Sequence, residues 1–368
     1  MKRLLIFIAL FFTFAFNSFA ASSEANYGQG ELAEALPDGA RELLDENDIT
    51  PDNSGALGLS PLSVLEGLWR LFTDEFAAPL KMLAALVGVI LLCAVAEALR
   101  DGAGNKNSAD IFSVVGVLAG AGMMSVYISD SVARALQTLN SGSVFLMTFV
   151  PIFAGIMAIC GQLTTASVFS GTVIIAGQVF AYIMTVFLIP LVSCVLGVSI
   201  AGAVNPDLKI DRLAETVKKI VVWGLGLLVT VFAGLLSLQS IMSNSADTVA
   251  LRTARFVVSG TVPIIGGAIG DALTTVRGSL DLLRGSTGTF GIIAGLMIFV
   301  PTLVSVFLHR IALSAASAVC EMFGITRLAS LLKSGESIMS IVFAMLFCLT
   351  LLIIISVAMM LLIWNGGV

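Results

Sequence analysis

Long apolar runs separated by short polar stretches dominate the chain, and their lengths set the first expectations. Strong runs occupy 82–99, 111–128, 144–160, 166–189, 221–242, 290–308 and 338–364. A helix of about 20 apolar residues crosses a hydrocarbon layer of about 30 Å, so these runs read as membrane spans. A further run, 191–203, continues beyond Pro190, as the rest of a broken helix or as another short span. The stretch 311–332 is intermediate, because Glu321 and Arg327 interrupt it. The pattern predicts an all-α, polytopic helical membrane protein with about 7–9 transmembrane helices, re-entrant segments included as an option.

The polar stretches divide the chain. Lys2 and Arg3, then an apolar run over 4–16, then Ser18-Phe19-Ala20, form a secretory pattern, so 1–20 is expected to be a cleavable signal peptide. Residues 21–58 follow as an acidic leader outside the cytoplasm, with a weak helical pattern over 31–44. In 59–77, Ser60-Pro61 reads as a helix start, and Leu65, Leu68, Trp69, Phe72 and Phe76 recur at helical spacing. That is an amphipathic juxtamembrane helix feeding a multi-pass domain over 78–368. Two more amphipathic stretches lie within the domain. One runs from Asn205-Pro206-Asp207 to Lys218 and Lys219; the other, 246–258, carries Arg252 and Arg255.

Basic residues in short loops orient the spans. With 21–76 outside, the basic segments 100–110, 204–219 and 309–335 all belong in the cytoplasm. This requires an odd number of crossings within 143–203, one or three, and leaves 243–289 external or partly re-entrant.

Composition sharpens the picture. Charged residues make up 12% and hydrophobic ones 58%, against about 25% charged in soluble domains. Residues 21–76 hold 12 acidic residues against Arg41 and Arg70, whereas the body is slightly basic. An acidic leader on such a body argues against nucleic acid as a partner. Cys93, Cys160, Cys194, Cys320 and Cys348 sit apart in apolar runs and read as buried thiols; His309 is the only histidine. No metal or other cofactor is expected. The chain has no P-loop, no H-E-x-x-H and no G-x-S-x-G, so it reads as a non-enzyme that cannot power transport by hydrolysis itself.

The candidate functional segment is 260–291. Pro263 removes a backbone donor, and Gly266, Gly267 and Gly270 permit close approach or non-helical backbone. Two readings stand: tight helix packing through the small-x-x-x-small spacing of Gly266 and Gly270, or a re-entrant segment lining a watery path. Asp271, Arg277, Gly278 and Asp281 extend the candidate set, with Arg277 and Asp281 spaced to pair on one helix face. Glu97, Asp130, Arg284, Glu321 and Arg327 are the other ionisable residues in or beside apolar runs. A weak internal echo adds to the second reading. Val150-Pro151-Ile152, Leu163-Thr164-Thr165 and Ile174-Ile175-Ala176-Gly177 recur in order as Val262-Pro263-Ile264, Leu273-Thr274-Thr275 and Ile292-Ile293-Ala294-Gly295.

The block from Thr261 to Asp271, then Thr275-Val276-Arg277-Gly278-Ser279 and Gly288-Thr289-Phe290-Gly291, resembles the stage III sporulation protein AE family, and the likeness extends over essentially the whole chain. The resemblance implies a membrane subunit of the mother cell–forespore channel complex of endospore formers, seated in the mother-cell membrane that engulfs the forespore. Its implied partners are the other stage III sporulation subunits, including a separate secretion-type ATPase and ring-forming membrane proteins, with lipid around it; a homo-oligomer is compatible. It implies no catalytic residues. The expected function is a channel- or permease-like subunit. The alternatives are a scaffold that organises ring-forming partners without conducting, and a stand-alone secondary transporter of a small solute.

Overall fold

The computed structural model describes residues 75–103, 106–204, 211–261 and 266–362, together with Leu32, Leu36, Pro37, Arg41 and Thr73. The expected signal peptide, most of the acidic leader and juxtamembrane helix, residues 205–210, Pro263 and the last residues of the 338–364 run lie outside the described residues. Every regular element among the described residues is a helix: α1 (Ala77–Ala103), α2 (Lys106–Ile159), α3 (Leu163–Tyr182), a π-helical segment (Ile183–Leu188), α4 (Ile189–Val204), α5 (Asp211–Thr261), α6 (Gly266–Met322) and α7 (Thr326–Leu362). Six described stretches are long and apolar enough to cross a membrane, the α3–α4 stretch counting as one.

Several expected spans fuse. Runs 111–128 and 144–160 lie almost wholly on the single helix α2, which has 54 residues. At 1.5 Å per residue it is about 80 Å long, well over twice the hydrocarbon thickness. The run 290–308 and the first part of the intermediate stretch 311–332 share α6, the rest of that stretch lying on α7 beyond the turn. Hydropathy falls at Ser129–Ser143 and at His309-Arg310, but neither stretch holds a proline, and the helix continues through both.

Pro190 does not break the chain either. The caps on both sides of Ile183–Leu188 are right-handed helical, so α3, the π segment and α4 form one continuous helix over 163–204. Proline lacks an N–H and crowds the carbonyl one turn earlier. The wider π turn just before it relieves that crowding. After α2, residues 163–204 therefore run as a single helix.

The register between helices is regular. Thr138 pairs with Thr302, Gly142 faces Phe299 and Phe149 faces Gly291, so α2 and α6 run antiparallel. Gly288 faces Leu361, Gly295 faces Ile353 and Arg310 pairs with Glu336, so α6 and α7 do the same. Gly120 faces Leu328 and Gly335 faces Met124, which makes α2 and α7 parallel and puts the α6–α7 turn at the same end as the α1–α2 turn. Gly324, with φ of 77°, makes that α6–α7 turn.

The apolar stretch of α7 is 72% buried, against 22–50% in the other five, so α7 is the central helix. Phe145, Phe149 and Phe153 stack at 5.4 and 5.5 Å along the inner face of α2, all fully buried. Leu32 and Leu36 of the leader are buried in the same apolar cluster as the spans. The leader therefore touches the bundle through Leu32 and Leu36, within the stretch 31–44 where the sequence has a weak helical pattern.

Candidate functional site

Polar groups enter this apolar body at three places. The first is a charged belt midway along α2, level with the C-terminal part of α6 and the early turns of α7. Asp130 pairs with Arg134 one turn along α2. By the α2–α6 register Asp130 lies level with Arg310, which reaches Glu336 of α7 at 3.5 Å. His309 is buried beside them, and the charges of Arg134, Glu75 and Asp130 reach its ring. Its Nδ1 lies 2.8 Å from the Ser305 carbonyl, an acceptor, so Nδ1 carries the proton and Nε2 is the acceptor of the neutral ring. The Tyr127 ring sits 6.5 Å away. Thr138 and Thr302 share a 2.7 Å hydrogen bond about two turns further along α2. Removing the Glu336 carboxylate would leave half-buried Arg310 without this partner. We expect Glu336→Ala to cost about 1–2 kcal/mol, read as a lower melting temperature in detergent, whereas Glu336→Asp should retain part of the stability.

The second place is the lower part of the candidate segment. Arg284 is buried and donates to the carbonyl of Met360, in the last turn of α7. Carbonyls there have no partner within their own helix, and a cation suits the negative end of the macrodipole. Thr287 and Thr289 are buried next to it, and Thr289 folds its hydroxyl back on Gly285 at 2.8 Å. Gly288 and Gly291 are the close approaches. A Cβ on Gly288 would lie 2.5 Å from a Leu361 methyl, and one on Gly291 would lie 2.2 Å from the Phe149 ring. The Gly288-Thr289-Phe290-Gly291 block is thus a packing surface, with Phe290 itself buried.

The third place was not flagged in the sequence. Asp247 of α5, only 4% exposed, accepts hydrogen bonds from the backbone N–H groups of Thr164 (3.0 Å) and Thr165 (2.9 Å) and from the Thr165 hydroxyl (2.6 Å). Gln162, at the N-cap of α3, makes no side-chain capping bond. A carboxylate from another helix therefore caps α3 and suits its positive end. The sharp turn before it depends on Gly161, with φ of 87°.

The predicted segment is placed as follows. Gly266, Gly267, Gly270, Asp271, Arg277, Gly278 and Asp281 all lie on the first part of α6, where the backbone is helical; their side chains lie outside the described residues, as does Pro263. The internal echo does not map onto equivalent elements. Leu163-Thr164-Thr165 opens α3, whereas Leu273-Thr274-Thr275 lies inside α6. Val150-Pro151-Ile152 lies inside α2, and Val262-Pro263-Ile264 lies outside the described residues.

The sequence profile described as Stage III sporulation protein AE (spore_III_AE) matches residues 46–363. The chain belongs to the stage III sporulation protein AE family. It is similar to the stage III sporulation protein AE of Bacillus subtilis (strain 168), 23% identical over 299 residues that cover 74% of each chain. No solved structure matches it. The family match takes in the belt, the Asp247 cap and the α6 segment alike.

Proposed function

We propose that this chain is the channel- or permease-like membrane subunit of the mother cell–forespore channel complex. It sits as a multi-pass protein in the mother-cell membrane engulfing the forespore, with its N-terminus outside the cytoplasm. A separate secretion-type ATPase supplies the energy, and ring-forming membrane proteins complete the passage; this subunit catalyses nothing itself. Family membership over 46–363 carries the reading. The helical body, with charges gathered at one level, supports it.

The filled interior bears on where a passage runs. Phe145, Phe149, Phe153 and Phe299 are fully buried, and Phe149 and Phe299 lie against Gly291 and Gly142. A path for anything larger than water then lies against an outer face of the bundle, between subunits. The same filling favours the scaffold reading.

Asp271→Asn, Arg277→Gln and Asp281→Asn together, introduced into a spore former, test the choice. For a passage along α6, late forespore reporter expression is lost while the ring partners still co-purify. Loss of both together supports the scaffold, and normal reporter expression removes this segment from the path.

A further inference from the structure

The helix over 163–204 carries no charged residue, yet its exposed face is not uniformly apolar. Ser167, Thr172, Thr185 and Ser193 each turn a hydroxyl back onto the carbonyl four residues earlier, at 2.6–3.2 Å. Hydroxyls satisfied in this way are tolerated in lipid. Gln178 is different. It is exposed, and its amide makes no hydrogen bond among the described residues. Tyr182, one turn further on the same face, is 67% exposed.

The depth of Gln178 follows from the Asp247 cap. That contact sets Thr165 of α3 level with Asp247 of α5. The two helices run in opposite directions. Thirteen residues along α3 from Thr165, about 20 Å, Gln178 lies level with about residue 234 of α5. That is the middle of the apolar run 221–242. A primary amide with no partner is therefore presented at mid-membrane, where no water can satisfy it.

Beside it is a cavity of about 140 Å³ between α2 and α3, open to the outside and lined by Ser143, Met147, Ile174, Gly177 and Gln178 among others. Ile175 and Val179 project next to it, 65% and 46% exposed. The face thus offers an open notch, apolar side chains projecting beside it, and an amide that both donates and accepts. A surface carrying both halves of each contact is complementary to itself. We infer that the α3 face centred on Gln178 binds a second copy of this chain, the two Gln178 amides hydrogen-bonding across a two-fold axis. The contact holds whether or not the pair conducts.

The test uses the full chain in the membrane of a spore former. A photo-crosslinking amino acid at Gln178 should give a product of twice the chain mass. The same label at Leu238, on the lipid-facing side of α5, should not. Two differently tagged copies should co-purify in mild detergent. Gln178→Leu, an apolar surface change that leaves the fold intact, should weaken this about three- to thirtyfold, the range of interhelical side-chain bonds in membranes. Gln178→Asn should keep part of it. Crosslinking of Gln178 to a different protein, to lipid alone or to nothing overturns the proposal, as does co-purification unaffected by Gln178→Leu.

Discussion

Asp247→Ala is expected to destabilise the folded chain by about 3 kcal/mol, far more than a polar substitution near the end of a span normally does. The carboxylate accepts from two backbone N–H groups and one hydroxyl, all within 3.0 Å. The N–H groups are among the first of α3, which have no partner within their own helix. Alanine leaves both without an acceptor, and Thr165 is fully buried, so water does not replace the carboxylate there. The helix-end loss and the burial of unsatisfied donors add, because one carboxylate supplies both. Asp247→Asn should fall between wild type and alanine: one oxygen still accepts, but the new amide N–H₂ faces a donor. Thermal melting of the three proteins in the same detergent orders them, and an alanine variant that melts with wild type refutes the cap.

This cap also shows where sequence reading stops. Helical spans were legible because periodicity and hydropathy are local. Gln162 is a poor cap, but the carboxylate that replaces it sits 85 residues on, at Asp247, in the amphipathic stretch 246–258, where nothing local marks it as a cap. The fusion of spans was hidden for the opposite reason. Polar residues at 129–143 lower the local hydropathy, and only the paired helices reveal that Thr138 and its neighbours are answered by Thr302 and its neighbours. The candidate segment is rich in glycine. Gly288 and Gly291 turn out to make room for Leu361 and Phe149, contacts that chain spacing alone does not assign. Arg284 was flagged as an in-membrane charge, but its partner is a backbone carbonyl, and backbone acceptors leave no mark in a sequence.

Substituting Gly291 is the second change with a large expected effect. A Cβ there would meet Phe149 ring atoms at 2.2 and 2.4 Å, inside any real contact distance. The ring cannot swing away, because Phe145 and Phe153 stack on either side of it at 5.4 and 5.5 Å. Replacing glycine by alanine inside a helix ordinarily gains up to about 1 kcal/mol in propensity. Overpacking a closed core costs about 1–3 kcal/mol, so Gly291→Ala should come out net destabilising by about 1–2 kcal/mol, and Gly291→Leu should prevent the folded protein from accumulating. The decisive measurement is a double-mutant cycle with Phe149→Leu. The smaller side chain opens space where the new methyl lands, so the pair should cost at least about 1 kcal/mol less than the two single changes added together. Gly142 and Phe299 form the same contact with the roles of α2 and α6 exchanged, two turns along α2, which makes the interlock reciprocal. A cycle at that pair should couple with the same sign. If both cycles are additive, the glycines are not what sets the distance between these two helices.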